Sequence, residues 1–283
     1  MFRRIGKILL SGSPDRRCED RVVTRNHEEQ GVFAVIDGVS GLVGSMNGFP
    51  IGDVHGTGGE WAAVQIQDFL LNHLDLRVRD ALSLVEKADR HLKVAMGKLG
   101  FLPTSMDDAW RLPGAAACIA HVDEGRNHFS MAQVGDCLGV VELESGERRL
   151  FGDPLLTLDS AVHQAIGKHG GIESEKVQSL LWKNRRKRNR ELYAVLDGNL
   201  NKRLVATISV PLAEVRRFAL LTDGLFFLNS DLPKVADAIL DSGLDEWREY
   251  IVACEEADPT CSKHTRVKPG DDKAGIVFER EES

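Results

Sequence analysis

The change of hydrophobic period in the middle of the chain constrains the fold most. Between residues 61 and 96 apolar residues recur at helical spacing, which predicts two amphipathic helices. From residue 115 onward, four short apolar runs, AAACIAHV, HFSMAQV, LGVVEL and RRLF, alternate with the turn-rich segments DEGRN, GDC and ESGE. Short apolar runs between turn signals predict an antiparallel meander. Paired helices and antiparallel strands must therefore share one fold.

The rest of the chain repeats these two patterns. We expect a buried strand at GVFAVID, a helix-compatible stretch over 160–191, strands at LYAVLD, VATISV and RFALLTD, helices over 233–241 and 244–257, and a last strand at KAGIVFE. Residues 42–59 are glycine-rich without periodicity, which predicts a long loop. The pattern predicts an α+β fold, a four-layer sandwich of two mainly antiparallel β-sheets flanked by pairs of helices. We expect one domain over residues 1–283, because no repeat or proline-rich linker divides the chain.

Charge and cysteine usage exclude several partners. The chain has 36 basic and 43 acidic residues, a net charge of −7, so no overall positive field attracts nucleic acid or an anionic membrane. No segment approaches the roughly 18 apolar residues of a membrane span. Five scattered cysteines do not form a disulfide framework. We therefore expect a cytoplasmic protein whose partner is neither nucleic acid nor membrane.

Two local features have simple structural interpretations. The basic run KNRRKRNR, residues 183–190, lacks interleaved aromatic residues, and on an acidic protein such a run is typical of a solvated face or loop. The pair Asp197 and Gly198 is typical of a turn.

Carboxylates recur where apolar runs begin or end. Asp37 follows VFAVI, Asp136 follows SMAQVG, Asp223 follows FALLT, and Asp271 precedes KAGIVF. Each alone is typical of a turn, but strand ends of a sandwich converge, and converging carboxylates repel and raise one another's pKa. Divalent cations relieve that repulsion, and all-oxygen ligands favour magnesium or manganese. Two such ions can activate a bridging water, so the pattern favours phosphate-ester hydrolysis.

The motifs that carry these carboxylates resemble those of the type 2C metal-dependent serine/threonine protein phosphatases. The resemblance lies in CED ending at Asp20, VIDGVSG around Asp37, GAAA at 114–117, AQVGDCLGVV around Asp136, LLTDGLFFL around Asp223, and DDKAGIVF from Asp271. The motifs follow the family's order and extend over nearly the whole chain.

The resemblance implies hydrolysis of phosphoserine and phosphothreonine in a phosphoprotein substrate, opposing a serine/threonine kinase. It implies two manganese or magnesium ions, with a third bound weakly. Asp37 would bridge two metals and the Gly38 carbonyl would bind one of them, while Asp223 and Asp271 would complete the other. Glu19 and Asp20 match the acidic pair of the first motif, and Asp20 would act through metal-bound waters. Asp136 would hold the third metal together with Asp223.

The sequence departs from the family pattern at several positions. Asp15 stands where the family has a phosphate-binding arginine, and we favour Arg16 over its neighbour Arg17 for that role because Arg16 is in strand phase with Asp20. Cys18, Val39 and Phe227 replace a common asparagine, a histidine of animal members and an aspartate.

Parts of the sequence are also compatible with other functions. The chain could be a degenerate phosphatase fold that acts as a binding module. GDVHG at 52–56 and NHE at 26–28 resemble signatures of calcineurin-like metallophosphoesterases, although their order and strand context differ. Cys254, Cys261 and His264 have a spacing that fits no standard zinc site.

Overall fold

The computed structural model describes residues 2–39, 47–51, 54–73, 78–101, 111–151, 156–169, 174–226, 231–261, 263 and 269–281. Its strands are β1 (Phe2–Leu10), β2 (Arg21–His27), β3 (Gln30–Val39), β4 (Asn47–Ile51), β5 (Val54–Thr57), β6 (Gly114–Asp123), β7 (His128–Val134), β8 (Leu138–Leu143), β9 (Arg148–Leu150), β10 (Ala206–Pro211), β11 (Val215–Leu221) and β12 (Lys273–Arg280). Its helices are α1 (Gly58–Asp68), α2 (Ala81–Lys98), α3 (Leu156–His169), α4 (Glu175–Arg185), α5 (Leu232–Asp241) and α6 (Leu244–Glu256).

Two five-stranded antiparallel sheets face each other. One has the order β1-β12-β11-β8-β9 and the other β10-β7-β6-β3-β2, while β4 and β5 form a separate hairpin. Buried aromatic residues from both sheets fill the space between them: the rings of Phe33 and Phe278 lie 4.3 Å apart, and those of Phe129 and Phe218 lie 5.2 Å apart. Aromatic pairs contribute strongly to such a core because each ring buries about 150–250 Å².

Helices cover the outer face of each sheet. The apolar sides of α1 and α2 pack on the sheet that contains β3 and β6, and those of α5 and α6 pack on the sheet that contains β11. Side-chain caps fix where these helices begin: Thr57 accepts a hydrogen bond from the Glu60 N–H, and Asp80 accepts one from Ser83. The four-layer α+β sandwich predicted from the sequence is therefore confirmed.

The predicted meander is wrong in one respect. β6 and β7 pair in one sheet, whereas β8 and β9 pair in the other. The chain crosses between the sheets at Gly135, whose φ of 76° is accessible to glycine at little cost.

Two other local predictions are corrected. The 42–59 region is not wholly a loop, because it contains β4, β5 and the start of α1; residues 42–46, 52 and 53 lie outside the described residues. The predicted strand LYAVLD makes only isolated bridges. Asn189 explains this difference, because its side chain bonds both the N–H and the C=O of Val195, which a sheet ladder would otherwise use.

None of the helices in the described ranges combines the length and the apolar character needed to cross a membrane.

His121 on β6 gives the first testable prediction. It is fully buried, and within the described part of the chain neither of its ring nitrogens has a hydrogen-bond partner. Burial lowers the pKa of His121 below its ordinary value of 6.5, so the unfolded chain takes up a proton first as the pH falls. His121 therefore lowers the free energy of unfolding progressively more as the pH falls below about 6.5.

We expect His121→Met to raise the free energy of unfolding by about 1 kcal/mol at pH 7, because no buried polar group is then left unpaired. The gain should be larger at pH 5. Urea unfolding at both pH values measures it, with exposed His27→Met as the control for the same substitution outside the core. An equal loss of stability in His121→Met at both pH values would contradict this account.

Candidate functional site

The sheet topology brings the predicted carboxylates to one edge of the sandwich. β3 and β11 end at this edge, whereas β2 and β12 begin there. Leu221, two residues before Asp223, pairs with both Leu138 of β8 and Gly275 of β12. The carboxylates at this edge are Glu19, Asp20, Asp37, Asp136, Asp223, Asp271 and Asp272. We call this set the acidic edge.

Asp20 lies deepest in the acidic edge. It is 1% exposed, and its Oδ2 accepts a 2.6 Å hydrogen bond from the Thr222 hydroxyl. Burial raises the pKa of Asp20 well above its ordinary value, and the negative charges of Asp223, Asp271 and Asp272 raise it further. The Thr222 hydrogen bond opposes this rise without cancelling it. Carboxylates from three separate chain segments therefore repel one another here.

The Cys137 thiol lies within electrostatic reach of other carboxylates of the acidic edge. Burial raises the pKa of its thiol well above the ordinary value, and the charges of Asp37, Asp136 and Asp20 add to the rise. Asp20 thus interacts with Asp223, Asp271 and Asp272, and it acts on Cys137 together with Asp37 and Asp136. Asp37, Asp136, Asp223 and Asp271 thus all lie near Asp20 or Cys137, at the same edge of the sandwich.

Asp272 organises the segment before β2 and was not assigned a role from the sequence. It is 2% exposed and accepts hydrogen bonds from the backbone N–H of Gly12 at 2.8 Å and of Glu19 at 2.7 Å. Its Oδ1 also lies 3.2 Å from Arg16 Nη2. The sequence signal for this role is the adjacent pair of aspartates in DDKAG. Of two neighbouring carboxylates, Asp271 can face a ligand while Asp272 turns inward to bond the backbone.

Glycine allows the backbone to pack tightly at this edge. A Cβ on Gly38 would lie 2.6 Å from the carbonyl carbon and oxygen of Gly59, at the start of α1. Glu19 joins the same corner, because its Oε1 accepts a 2.8 Å hydrogen bond from the Thr57 hydroxyl. Any side chain at Gly38 would push α1 away from the strand that carries Asp37.

The two candidate arginines have different partners. Arg17 Nε lies 2.8 Å from Glu60 Oε1, so this guanidinium is used at the start of α1. Arg16 contacts Asp272 through Nη2, and its Nε is buried with no hydrogen-bond partner among the described residues. A buried N–H donor beside the carboxylates suits an anionic ligand.

The basic run 183–190 is only partly a solvated face. Arg188 is buried and its Nε lies 2.9 Å from Asp197 Oδ2, so Asp197 is more than a turn former. Arg185 lies within electrostatic reach of Asp136 and Glu19, whose charges oppose the burial that lowers the pKa of Arg185 to about 10. The backbone bonds between Leu196 and Ala115 attach this segment beside the acidic edge.

Thiol chemistry has no support at the acidic edge. Burial raises the pKa of Cys18 to about 12, and the charges of Asp20 and Asp272 contribute to the rise. A thiol with that pKa stays protonated at neutral pH and is a poor nucleophile.

The donor chemistry of the acidic edge fits hard divalent cations. The converging side chains supply carboxylate oxygens, which magnesium and manganese prefer, and bound cations would relieve the repulsion that Asp20 experiences. Across the described ranges, no three histidine, cysteine, aspartate or glutamate side chains form a ready-made ligand set. The carboxylates therefore share one region without closing around a single point.

The other predicted motifs lie elsewhere. Asn26, His27 and Glu28 are at the β2–β3 turn, at the opposite end of the sheet from Asp37. Gly52, Asp53 and His264 lie outside the described residues, as does Phe227. The NHE segment therefore does not contribute to the acidic edge.

Comparisons with known proteins agree with this geometry. The catalytic domain of the serine/threonine protein phosphatase PstP, in complex with two manganese ions, matches with a TM-score of 0.55 and 17% identity, covering 98% of this chain and 97% of that one. Serine/threonine phosphatase Stp1 from Staphylococcus aureus matches with a TM-score of 0.57 and 14% identity, covering 100% and 96%. The chain has the fold of these serine/threonine phosphatases.

A third structure with the phosphatase fold is RsbX in complex with magnesium, which matches with a TM-score of 0.52 and 14% identity over 99% of each chain. At the sequence level, neither the family models nor the curated proteins give a match. The phosphatase fold is therefore established by the arrangement of the backbone.

Proposed function

We propose that this chain is a metal-dependent phosphoprotein phosphatase that hydrolyses phosphoserine and phosphothreonine. The observation that carries the proposal is the convergence of Asp20, Asp37, Asp136, Asp223 and Asp271 at one edge of a phosphatase fold. The manganese ions of the PstP structure and the magnesium of the RsbX structure support two divalent cations as cofactors.

Each carboxylate has a distinct proposed role. Asp37 and the Gly38 carbonyl would hold one cation, and Asp37, Asp223 and Asp271 would hold the second. Two bound cations supply an activated water for in-line attack on phosphorus. Asp20, whose carboxylate accepts the Thr222 hydroxyl, would act through waters on the cations, and Asp136 would hold a third cation weakly together with Asp223. Asp37, Asp223 and Asp271 are thus the residues on which catalysis depends.

We also propose that residues 1–283 form one catalytic domain that acts in the cytoplasm, in signalling, against the products of a serine/threonine kinase. Alignment over 98% of the chain with the PstP catalytic domain supports the single domain. The five free cysteines are compatible with a reducing compartment.

Hydrolysis by the purified full chain tests the function. An aryl phosphate and a phosphothreonine peptide are each incubated after treatment with a chelator, and then with manganese or magnesium added back. We expect turnover that disappears with the chelator and returns with metal. No turnover with either metal would overturn the proposal and favour a phosphatase fold that serves as a binding module.

Arg16 is the proposed phosphate-binding residue and gives a second prediction. Arg16→Ala removes a charged donor whose Nε has no hydrogen-bond partner among the described residues. We expect KM for the phosphopeptide to rise about tenfold to 100-fold, because a hydrogen bond to a charged group is worth about 1.5–3 kcal/mol.

Arg17→Ala is the matched control, because the Arg17 guanidinium is paired with Glu60. Steady-state kinetics should show little change in KM for this variant. A larger effect from Arg17→Ala than from Arg16→Ala would reverse the assignment.

A further inference from the structure

A buried lysine lies directly behind the candidate metal ligand Asp271. Lys273 begins β12 and is 1% exposed, which is rare for lysine. Its Nζ donates to Glu255 Oε1 at 2.8 Å, to Glu255 Oε2 at 2.7 Å and to the Asp271 carbonyl oxygen at 2.8 Å. These contacts satisfy all three donors of the ammonium group.

Glu255 on α6 completes a ring around Asp271. Its Oε1 accepts the backbone N–H of Asp271 at 3.2 Å, while Lys273 holds the Asp271 carbonyl. The backbone of Asp271 is therefore bonded on both sides by one ion pair. We call Glu255 and Lys273 the α6 clamp.

The clamp also supports the turn that carries Asp223. A Cβ on Gly224 would lie 3.2 Å from Lys273 Cγ, so the lysine stem packs beneath this turn. From the same helix, Trp247 Nε1 donates a 2.6 Å hydrogen bond to the Leu225 carbonyl. Helix α6 thus contacts both chain segments that bring carboxylates from β11 and β12 to the acidic edge.

Stability alone does not account for an ion pair at this place. A buried pair loses the hydration of both charges, and apolar residues of similar volume often stabilise a fold as well or better. Apolar side chains, however, cannot bond the N–H and the C=O of Asp271. The ion pair therefore supplies an effect that apolar residues would not, which is the fixed orientation of the Asp271 backbone.

We propose that Glu255 and Lys273 are positioning residues that orient Asp271 for binding a divalent cation. This inference rests on the proposed function, since it takes Asp271 as a metal ligand. The pair touches no substrate, and its role is to reduce the rearrangement needed when the carboxylates of the acidic edge close on a cation. Substitution of a residue that orients a metal ligand typically weakens metal binding by about tenfold to 100-fold.

Manganese titration of the metal-stripped full chain by calorimetry tests the inference. In Glu255→Gln the clamp loses its negative charge, and in the double variant Glu255→Met with Lys273→Met both charges are removed while the volume is largely kept. Glu255→Gln alone leaves Lys273 buried without a charged partner, which can prevent folding. The double variant avoids this problem because it removes both charges. We expect manganese to bind about tenfold to 100-fold more weakly to the double variant, and urea unfolding verifies that this variant is folded under the conditions of the titration.

Glu142→Gln is the matched control. Glu142 is 2% exposed and pairs with Arg217 at 2.9 Å, at the far end of the same sheet. This variant should lose stability and keep the manganese affinity of the wild type. Wild-type affinity in the folded double variant would overturn the clamp while leaving the phosphatase proposal intact. A wild-type chain that binds no manganese or magnesium would instead overturn both.

Discussion

Asp37→Asn is expected to lower kcat/KM for a phosphopeptide by at least about 100-fold while the fold persists. Asp37 is the residue proposed to bridge two cations, and asparagine keeps its shape but removes its negative charge. Substitution of a residue that hydrogen-bonds to a metal ligand typically lowers metal affinity or activity about tenfold to 100-fold. Loss of the bridging ligand itself should therefore lower activity further. Kinetics at saturating manganese, with circular dichroism to verify the fold, measure the effect.

Asp123→Asn is the matched control for this experiment. Asp123 is 3% exposed on β6, the neighbour of β3, but it lies at the opposite end of the sheet, where it accepts a 3.0 Å hydrogen bond from Gln30. Its substitution should leave kcat/KM near the wild-type value. An Asp37→Asn variant as active as Asp123→Asn would remove the main support for the proposed mechanism.

Asp89→Ala is expected to give the largest loss of stability. Asp89 on α2 is 7% exposed and accepts the backbone N–H groups of Asp197 at 3.0 Å, Gly198 at 2.8 Å and Leu200 at 3.1 Å. Alanine would leave these donors unpaired beneath the helix. At about 1–3 kcal/mol for each unsatisfied group, the free energy of unfolding should fall by at least about 3 kcal/mol in urea titrations.

Asp89→Asn separates hydrogen bonding from charge. Asparagine can still accept from Asp197 and Gly198, so this variant should lose less stability than alanine. Burial raises the pKa of Asp89 from 3.8 to about 6. The extra stability linked to protonation of Asp89 is thus fully present below about pH 4 and is lost as the pH rises through about 6, whereas the ionised carboxylate still accepts the three hydrogen bonds; asparagine should abolish this pH dependence. Equal losses in both variants at every pH would contradict the role of the three hydrogen bonds.

The sequence predicted the layers of the fold well because each layer has a local signal. The helical spacing of apolar residues identified α1 and α2, and the turn-separated runs identified β6 to β9. The spacing of apolar residues does not determine which of the two sheets each strand joins. That choice depends on the crossing at Gly135, whose positive φ is a property of the folded backbone.

For the candidate site, sequence identified the carboxylates but not what supports them. Strand ends predicted that Asp37, Asp136 and Asp223 would converge. Asp272 bonds the backbone of Glu19, which is 253 positions away in the sequence. Glu255 bonds the backbone of Asp271, which is 16 positions away. Neither contact has a local sequence pattern. Such long-range polar contacts depend on tertiary packing, so short-range periodicity cannot reveal them.

The most direct test of the account is anomalous scattering from crystals of this chain soaked in manganese. We predict at least two manganese peaks at one edge of the sandwich, with ligand oxygens from Asp37, Asp223 and Asp271. Manganese bound only elsewhere, with these three carboxylates left without an ion in a soaked crystal, would contradict the claim that the acidic edge is a metal-dependent phosphatase site.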